Sequence, residues 1–569
     1  MPILARINLQ SHTITKEDIT SKHPYEMYAG RSLSSKIISN EVDPLCDPLG
    51  PENKLIFACG FIGGTPAPNS GRISVGAKSP MTLGIKESNS GGKAPALLSR
   101  QDFRGIVFEG ISETWVIVVI KEGEITLEDG TNFVGINNYP LMNMLKEKYG
   151  DTVGILSIGL AGEKQCINSS IAAMDMEGFP SRHMGRGGLG AVMGSKKIKA
   201  IVVYPPAKSM LIYKNKEEFY SIARDWFKTL NETKEVFRKY GTSIGIDTVN
   251  HLHALPTQNF RRGSFRGVEN INADALDAFV TKNNGKKGVA CSPGCAIRCS
   301  NILRTANDEH LTSSLEYETM IMNGSNLMID DIETLGWIDH YCDDNGLDTI
   351  ETGNCLAVLM EAGKLKWGDR KGVVDLLKGF SKGNPDSLLL GLGCYKLGKK
   401  MGIERIPHVK RQGFPAYEPR SFKGMGVTFV TSAMGADHTA GPAIHGRKAY
   451  SDKDYGEVYE RKNKVMISKE LQIFIYIADS TGCCYFVGPD YDSTQKWAKL
   501  FNARYGWNRT AEDWIQWAVD GIKMEREFNS RAGLKATDTL PKFMLEEKLE
   551  EIEDRKWDIT KKELEEIWD

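Results

Sequence analysis

Residues 288–300 read Gly288-Val-Ala-Cys-Ser-Pro-Gly-Cys-Ala-Ile-Arg-Cys-Ser300. Three cysteines, Cys291, Cys295 and Cys299, fall within this short stretch, and a Pro-Gly pair between the first two predicts a turn. An iron–sulfur cube needs thiolates that converge from one tight loop, because its irons lie close together and each takes one sulfur ligand. The stretch therefore indicates a metal site, with either one open iron or a distant fourth cysteine.

Zinc is the competing interpretation of the three cysteines. A structural zinc site usually begins with two ligands about two to four residues apart and closes with a second such pair. The chain has no compact second pair, because Cys483 and Cys484 are adjacent and cannot easily both bind one ion. The CxxxCxxC spacing of a radical-SAM cluster does not fit either, since the second gap here is as long as the first. Burial of the thiols as small apolar side chains is the remaining alternative.

The composition is that of a large globular protein with several domains. The chain has 569 residues, 41% hydrophobic and 25% charged, and Lys+Arg 72 against Asp+Glu 73 give a formal net charge of -1. This balance provides no general attraction for nucleic acid, and no apolar run approaches the ~20 residues of a membrane span. We therefore expect a cytoplasmic enzyme without nucleic-acid or membrane partners. The 11 cysteines, an odd number, favour reduced thiols over a disulfide framework.

The pattern of apolar residues predicts a change of structure near Pro205-Pro206. Before this point, short apolar runs between Gly, Pro, Asn and Ser clusters predict buried strands at residues 55–76, 105–110, 115–120, 152–158 and 198–204. After it, apolar residues at helical spacing predict helices at residues 215–240, 331–343, 349–363 and 373–380. We also expect a loop-rich segment at residues 406–442 and an amphipathic C-terminal helix at residues 545–568.

A short pattern occurs twice in the helical part of the chain. Asp343-Asp-Asn-Gly346-Leu347-Asp348 and Asp479-Ser-Thr-Gly482-Cys483-Cys484 both read DxxG, then a small apolar residue, then Asp or Cys. Either aspartate alone would most simply be a helix cap or a turn residue, and the duplicated context is what favours ligand binding. A glycine run, Gly185-Arg186-Gly187-Gly188-Leu-Gly190, is equally typical of an anion cradle and of a tight structural turn.

Together with the cysteine stretch, these motifs resemble the tungsten-containing aldehyde:ferredoxin oxidoreductases, and the resemblance runs along essentially the whole chain. Further segments in the family's order carry it: Asp47-Pro-Leu-Gly-Pro-Glu-Asn53, Asn69-Ser-Gly-Arg72-Ile-Ser-Val-Gly-Ala-Lys78-Ser-Pro80, Glu87-Ser-Asn89-Ser-Gly-Gly92, Gly185 to Lys196, Glu316-Tyr-Glu318-Thr319 and Gly435-Ala-Asp437-His438. The resemblance implies an α+β multidomain fold, with an N-terminal β-rich domain of two sheets followed by two mainly helical domains.

The expected domains follow from the motifs and the change of structure. We expect a β-rich, pterin-binding domain at residues 1–206. A helical domain with the cysteine stretch and the first DxxGLD motif should occupy residues 207–410, and a helical C-terminal domain with His438 and the second DxxG motif should occupy residues 411–569.

The resemblance implies two pterins, held by the two DxxG motifs. Their predicted contacts are Asp343, Gly346, Leu347, Asp348, Asp479, Gly482 and Cys483, with the aspartates accepting hydrogen bonds from pterin N–H groups. Negatively charged phosphate arms would be held by Arg72, Arg186, Gly187 and Gly188, and a magnesium ion by Asn89 and the Gly187 carbonyl. Cys484 is implied as the fourth ligand of a 4Fe-4S cluster with Cys291, Cys295 and Cys299. Two pterins can supply all the sulfur ligands of the metal, and the residues leave tungsten and molybdenum both open.

The implied reaction is oxidation of an aldehyde to a carboxylic acid, with electrons passed through the cluster to ferredoxin or another iron–sulfur carrier. Such a site needs a proton acceptor for the attacking oxygen and a donor that polarises the carbonyl. The spacing from the first DxxGLD motif favours Glu318 as the carboxylate, with Glu316 second, and His438 aligns with the family's histidine near the metal. A lone histidine is usually structural, and His445 is a rival.

A basic run near the end of the second predicted domain could meet an acidic ferredoxin, although such a run is more often a solvated face. The run comprises Lys396, Lys399, Lys400, Arg405, Lys410 and Arg411. A homodimer or a complex with an electron-transfer subunit is also compatible with the resemblance.

Three departures from the family's pattern bear on function. The first two cysteines are separated by one residue more than usual, which can change the cluster's environment or potential. Cys483 stands where leucine is expected and most simply replaces a buried leucine, and Pro180-Ser-Arg-His-Met184 is bulkier than the usual segment, which leaves substrate size open. Two alternatives remain: a same-cofactor reductase of an acyl-CoA aromatic ring or of a carboxylic acid, and a non-catalytic, metal-stabilised scaffold.

Overall fold

The chain forms two compact units, each assembled from segments that are distant in sequence. The computed structural model describes residues 2–445, 453–488, 490–535, 537–552 and 554–568. The first unit comprises Met1–Glu235, Ala290–Ile297 and Ile473–Leu534, and the second comprises Val236–Val289, Arg298–Gln472 and Lys535–Asp569. The division into three domains at residues 206 and 410 stays a prediction.

Two six-stranded sheets, formed by the first twelve strands, confirm the predicted β-rich N-terminal region. The strands are β1 (Ile3–Asn8), β2 (Thr13–Asp18), β3 (Leu55–Cys59), β4 (Ile73–Lys78), β5 (Ile85–Ser90), β6 (Phe103–Glu109), β7 (Val116–Lys121), β8 (Glu124–Asp129), β9 (Gly154–Ser157), β10 (Ile171–Ala173), β11 (Arg182–Met184), β12 (Ile198–Val203), β13 (Lys286–Val289), β14 (Ser300–Arg304), β15 (His310–Ser313), β16 (His408–Val409) and β17 (Gln412–Gly413). The first sheet has the order β2-β1-β6-β3-β4-β5, and the second has the order β11-β10-β9-β12-β7-β8.

The two large sheets share one hydrophobic core. β1 runs parallel to β6 and β7 runs parallel to β12, whereas their other pairings are antiparallel. Central strands such as β7, with the sequence Val-Ile-Val-Val-Ile, are apolar almost throughout because both of their faces are buried. Phe57 and Phe108 from the first sheet lie in the same apolar cluster as Val118 and Ile201 from the second.

Helices connect and follow the strands, and three of the predicted helices are confirmed as α11, α12 and α13. The helices are α1 (Gly30–Glu41), α2 (Lys93–Arg100), α3 (Asn138–Tyr149), α4 (Leu160–Glu163), α5 (Leu189–Ser195), α6 (Lys216–Thr233), α7 (Glu235–Tyr240), α8 (Ile246–His251), α9 (Ala273–Lys282), α10 (Tyr317–Asn323), α11 (Ile332–Asn345), α12 (Thr349–Glu361), α13 (Arg370–Ser381), α14 (Pro385–Leu388), α15 (Gly393–Met401), α16 (Lys423–Thr431), α17 (Lys464–Thr481), α18 (Tyr491–Tyr505), α19 (Ala511–Arg531), α20 (Lys542–Glu546) and α21 (Lys561–Glu565). The predicted helix at residues 215–240 is interrupted at Lys234, between α6 and α7.

The second unit is mainly helical and contains the three-stranded sheet β13-β14-β15 and the hairpin β16-β17. Its central helices begin at aspartates whose side chains accept backbone N–H groups of the first turn. Asp331 caps α11, Asp348 caps α12 and Asp369 caps α13. These caps satisfy donors that have no partner inside a helix, and they explain where the helices begin.

One expectation about a helical segment was wrong. The predicted helix at residues 545–568 is instead two short helices, α20 and α21, separated by a folded-back segment. Tertiary contacts override the helical periodicity there, because Glu550 pairs with Arg262 and the Trp557 ring packs on Gly426. The segment at residues 406–442 is largely irregular, as expected, and contains one short helix, α16. Among the described residues, no helix has both the length and the apolar content required to span a bilayer.

Gly60, directly after β3, lies against the backbone at the C-terminal end of α17. The N–H of Phe61 donates to the Ser480 carbonyl at 3.0 Å, and the N–H of Ile62 donates to the Thr481 carbonyl at 3.1 Å. A Cβ atom on Gly60 would overlap the backbone of Thr481 and Gly482. This close approach holds the second DxxG motif against the first sheet.

Gly60→Ala is expected to lower the free energy of unfolding by about 3 kcal/mol or more, because rigid backbone must move to admit the methyl group. Gly123→Ala is the matched control, since its φ is +78 and its Cβ would meet no atom within 4 Å. The free energy of unfolding of the control should fall by only about 1–2 kcal/mol, because alanine is strained in the left-handed conformation. Thermal unfolding followed by circular dichroism compares the two variants, and equal losses would contradict the close approach at Gly60.

Candidate active site

Asn69 links two of the predicted cysteine ligands in the first unit. Its carbonyl accepts the N–H of Cys484 at 2.9 Å, and its own N–H donates to the Gly294 carbonyl at 3.0 Å. Its side-chain amide donates to the Cys295 Sγ at 3.4 Å and accepts the N–H of Ala296 at 3.0 Å. The loop that carries Cys295 and the loop that carries Cys484 are therefore held by the same residue.

Cys291 lies in surroundings that favour its thiolate form. Its carbonyl accepts the N–H of Gly92 at 2.8 Å, and its Sγ would lie 3.4 Å from a Cβ on Gly91. A hydrogen bond from the Cys295 thiol, together with the guanidinium groups of Arg182 and Arg72, lowers the pKa of Cys291 against the opposing effect of burial. The thiolate is the form that ligates metals, so the site fits the predicted role of this cysteine.

Cys483 differs sharply from Cys291. Burial raises the pKa of the Cys483 thiol to about 12, which keeps the thiol protonated at neutral pH. Its Sγ lies 3.9 Å from the Pro68 carbonyl oxygen, inside the first unit. These surroundings fit a thiol that replaces a buried leucine.

The remaining predicted cluster ligands belong to both units. Cys484 is buried in the first unit, and Cys299 is half-buried in the second. In the part of the chain that the structure describes, no three His, Cys, Asp or Glu side chains form a site for a single metal ion. Ligands of an iron–sulfur cube bind different irons and lie farther apart than the ligands of one ion. The absence of a single-ion site therefore does not test the cluster, and its ligands stay a prediction.

The Asp479 carboxylate is held by two side chains of the first unit. Arg31 donates to Oδ2 at 3.3 Å, and the side-chain amide of Asn89 donates to Oδ1 at 3.1 Å. Asn89 also donates to Glu87 at 3.2 Å and accepts from the Arg72 Nε at 2.5 Å. Arg31, Arg72, Glu87 and Asn89 thus form one hydrogen-bonded group with Asp479 of the second DxxG motif.

Burial shifts the pKa values of the carboxylates in this hydrogen-bonded group. Burial, followed by the nearby Glu87 carboxylate, raises the pKa of Asp479 well above its usual range, and burial also raises the pKa of Glu87. Arg31 opposes both effects and is itself held by Glu525, whose oxygens accept two hydrogen bonds at 3.0 and 2.8 Å. Arg31, Glu87 and Glu525 lie outside the set that the sequence predicted. Arg31 and Glu525 carry no local signal, because 494 positions separate them.

The glycine run before α5 places backbone next to a buried cation. Gly187 has φ +88 and Gly188 has φ +74, which few residues other than glycine adopt. A Cβ on Gly187 would overlap the Lys86 side chain, and one on Gly188 would lie 2.5 Å from the Ile167 carbonyl oxygen. Arg186 is buried at 6% exposure, and Lys86 is fully buried. Buried positive charge beside glycine backbone fits the predicted phosphate site, and Lys86 extends the predicted set.

The two oxygens predicted for magnesium both accept hydrogen bonds within the first unit. The Asn89 Oδ1 accepts from Arg72, and the Gly187 carbonyl accepts from the Ser79 hydroxyl at 2.6 Å. Each oxygen has a second lone pair that could face an ion. Magnesium coordination stays a prediction.

The first DxxG motif ends α11 in the second unit. Gly346, with φ +73, donates its N–H to the Asp343 carbonyl at 3.3 Å, and Leu347 donates to the Cys342 carbonyl at 2.8 Å. This pair of bonds is a Schellman motif, which requires the left-handed glycine. Asp348 then caps α12, and the Asp343 side chain is buried at 4% exposure. The backbone of the motif is therefore explained by helix capping, while a ligand role for Asp343 and Leu347 stays a prediction.

Glu318 and His438 lie together in the second unit. The Glu318 Oε1 lies 3.6 Å from the His438 Nε2, and its Oε2 accepts the N–H of Ala416 at 2.7 Å. Tyr317 donates its hydroxyl to the Ala416 carbonyl at 2.8 Å and stacks on Tyr417. A carboxylate beside an imidazole can accept and donate a proton at one place.

Hydroxyl groups surround the Glu316 carboxylate. It accepts from the hydroxyl groups of Thr242, at 2.6 Å, of Ser300, at 3.5 Å, and of Ser314. Thr242 also accepts the N–H of Tyr317 at 2.9 Å, so Glu316 helps to fix the start of α10. His445 is exposed. These hydroxyl partners favour Glu318 over Glu316, and the choice of His438 over His445 stays a prediction.

The basic run predicted for carrier docking is not a continuous surface. Arg405 and Lys410 are buried, at 9% and 8% exposure. Arg405 pairs with Glu547 at 2.5 Å, and Lys410 pairs with Asp538. Lys396, Lys399 and Lys400 remain exposed on α15. The prediction was wrong for the two buried residues because sequence alone did not reveal their internal partners.

Comparisons with known proteins match both the N-terminal and the C-terminal parts of the chain. Residues 4–205 match the family described as aldehyde ferredoxin oxidoreductase, N-terminal domain, and residues 218–569 match aldehyde ferredoxin oxidoreductase, domains 2 and 3. A tungsten-containing aldehyde ferredoxin oxidoreductase from Pyrococcus furiosus is 33% identical over 575 residues, 96% of this chain and 91% of the relative. A protein of the same name from Pyrococcus horikoshii is 32% identical and covers 96% of this chain and 92% of its own.

More distant relatives share the fold. The aliphatic sulfonate oxidoreductase, WOR-like subunit, of Pyrococcus furiosus is 26% identical over 90% of this chain and 83% of its own. The active site complex BamBC of benzoyl coenzyme A reductase has a TM-score of 0.79 and 20% identity, over 95% of this chain and 90% of that one. Both family matches together span nearly the whole sequence, from residue 4 to residue 569. The chain belongs to the aldehyde ferredoxin oxidoreductase family, a family of oxidoreductase enzymes.

Proposed function

We propose that this protein oxidises an aldehyde to a carboxylic acid at a tungsten bis-pterin centre and passes the electrons through a 4Fe-4S cluster to a ferredoxin. The observation that carries the proposal is the pairing of Glu318 with His438 at 3.6 Å in the second unit. The names of the most similar relatives support tungsten, aldehyde and ferredoxin as metal, substrate and acceptor.

The residues present fit such cofactors. In the first unit, the Asp479 carboxylate, Arg72 and the glycine cradle at Gly187 would hold one pterin and its phosphate. In the second unit, Asp343 and Leu347 would hold the other. Cys291, with its lowered pKa, suits a cluster ligand. When bound, a tungsten bis-pterin supplies the redox centre that takes two electrons from the aldehyde.

Glu318 and His438 divide the proton chemistry. Glu318 accepts the proton of the water oxygen that becomes the second oxygen of the acid, and the Ala416 N–H fixes the carboxylate for this task. His438 donates a hydrogen bond to the aldehyde oxygen and makes its carbon more electrophilic. Tyr417, whose ring centre lies 6.4 Å from that of His438, covers one side of the imidazole.

Anaerobic purification with elemental analysis tests the proposal. We expect tungsten and about four irons per chain, with a broad absorption near ~400 nm, and reduction of a viologen dye by a panel of aldehydes. A colourless protein that carries only zinc would identify a metal-stabilised scaffold. A fully metallated protein that oxidises no aldehyde would identify a reductase, and aromatic acyl-CoA and carboxylic acids are the substrates to test next.

Glu318→Gln is expected to lower kcat for aldehyde oxidation by about 100-fold to 10,000-fold, because the amide cannot accept the proton. Glu316→Gln is the matched control, a neighbouring carboxylate of the same unit that accepts hydroxyl donors. The control should keep most of its turnover and lose thermal stability. Viologen reduction by the metallated proteins measures the turnover. Equal loss of kcat in both variants would remove Glu318 from its proposed role.

Cys484→Ala is expected to lose the absorption near ~400 nm and to bind less iron, because a cluster ligand is removed. Cys483→Ala is the control and should keep the cluster, because the Cys483 thiol is held protonated by burial. Iron content and visible spectra of the anaerobically purified variants provide the measurement. The opposite pattern, with iron lost only from Cys483→Ala, would make Cys483 the fourth ligand.

A further inference from the structure

The surface beside Cys299 in the second unit has a small pocket bordered by basic residues. Cys299 is half-buried and directly precedes β14. Arg238, Lys239 and Lys287 line the pocket together with Cys299. Arg298, the residue before Cys299, is exposed. We call Arg238, Lys239, Lys287 and Arg298 the Cys299 rim.

Close backbone packing fixes the rim next to Cys299. Gly241 has φ +64, and a Cβ there would lie 2.7 Å from the Cys299 carbonyl oxygen. A Cβ on Gly288 would lie 3.2 Å from the Arg238 Cγ, so the arginine stem covers β13 at this glycine. The basic end of α7 is therefore held against the predicted cluster ligand by two glycines.

The charge and the surroundings of the rim suit an acidic partner. Lys239, Lys287 and Arg298 are exposed, and the carboxylates nearest along α9 are Asp274 and Asp277. Asp277 pairs with Lys287, and the four basic residues of the rim outnumber these two carboxylates. Val236, at 54% exposure, adds an apolar side chain beside this charge. Weak redox complexes use small interfaces of this kind, and complementary charge mainly raises their rate of encounter.

We propose that the Cys299 rim docks an acidic, ferredoxin-type iron–sulfur protein that takes electrons from the cluster. The inference rests on the proposed function and adds the surface at which the carrier binds. It differs from the basic run on and after α15, because Arg405 and Lys410 of that run are buried in ion pairs. Aldehyde and water give carboxylic acid, two protons and two electrons. A one-electron carrier therefore docks twice per turnover, and each visit reduces one oxidised carrier.

Charge reversal at two rim lysines tests the docking surface. Lys239→Glu with Lys287→Glu is compared with Lys396→Glu plus Lys400→Glu, which makes the same change of charge on the exposed face of α15. Each metallated holoenzyme is assayed with an aldehyde and either methyl viologen or a purified acidic 4Fe-4S ferredoxin. The assays run at ionic strengths of about 0.01 M and about 1 M, where the Debye length is about 30 Å and about 3 Å.

We expect the rim variant to lose about tenfold in kcat/KM for ferredoxin at low ionic strength, because steering by charge is reversed. This loss should shrink at high ionic strength, and viologen reduction should stay within about twofold of the wild type. The α15 variant should keep its kcat/KM for ferredoxin. Equal ferredoxin kinetics in the two variants would overturn the proposal.

Two further measurements separate the outcomes. If the rim variant loses iron or viologen activity, Lys239→Gln with Lys287→Gln replaces it and should lose about threefold in kcat/KM for ferredoxin. Binding of oxidised ferredoxin to each holoenzyme, measured by biolayer interferometry without aldehyde, tests the surface independently of turnover. A wild-type protein that binds ferredoxin through the rim but oxidises no aldehyde would contradict the proposed function and leave the surface intact. Unchanged ferredoxin binding in the rim variant would reject the surface.

Discussion

The geometry of the cysteine loops in the first unit depends on the hydrogen bonds of Asn69. This residue joins Cys484 to the loop of Cys295, although 226 positions separate Asn69 from Cys295. Its φ of +57 is left-handed, a conformation that asparagine adopts more readily than most residues. Because these bonds are made by the polypeptide, the protein itself contributes to the orientation of the thiols. Such outer contacts commonly orient the ligands of a metal and tune its properties.

Buried charge is the second constraint on the first unit. Asp479 and Glu87 are both buried carboxylates, and each makes ionisation of the other more costly. Arg31 supplies the compensating charge, and Glu525 holds Arg31 through two hydrogen bonds. Removal of Arg31 would leave these buried carboxylates without their compensating charge, a change that is strongly destabilising. The aspartate of the second DxxG motif is therefore positioned by polar residues that are distant in sequence. The first motif is positioned by the capping of α11.

Local patterns predicted most of the strands and helices, and they indicated only those site residues that lie in short motifs. The strands of the β-rich region and the helices α11 to α13 follow from apolar periodicity, because both depend on residues close in sequence. The predicted helix at residues 545–568 was wrong because tertiary packing, such as that of the Trp557 ring on Gly426, overrides the local periodicity. The motifs marked Asp479 and Cys484 as candidate site residues, and these roles stay predictions. The motifs could not reveal Arg31 or Glu525, since no local pattern marks two residues that meet only in the folded chain.

The sequence favoured Glu318 and ranked Glu316 second, and hydrogen bonding distinguishes the two carboxylates further. Glu316 lies in extended conformation before α10, while Glu318 lies in its first turn, so the two carboxylates have different neighbours. The hydroxyl groups of Thr242, Ser300 and Ser314 donate to the Glu316 carboxylate and fix it at the start of α10. Glu318 is fixed through one oxygen by a backbone amide and presents the other toward His438. A carboxylate oriented in this way can exchange a proton with a neighbour without disturbing the start of the helix that carries it, and that is the property a catalytic base needs.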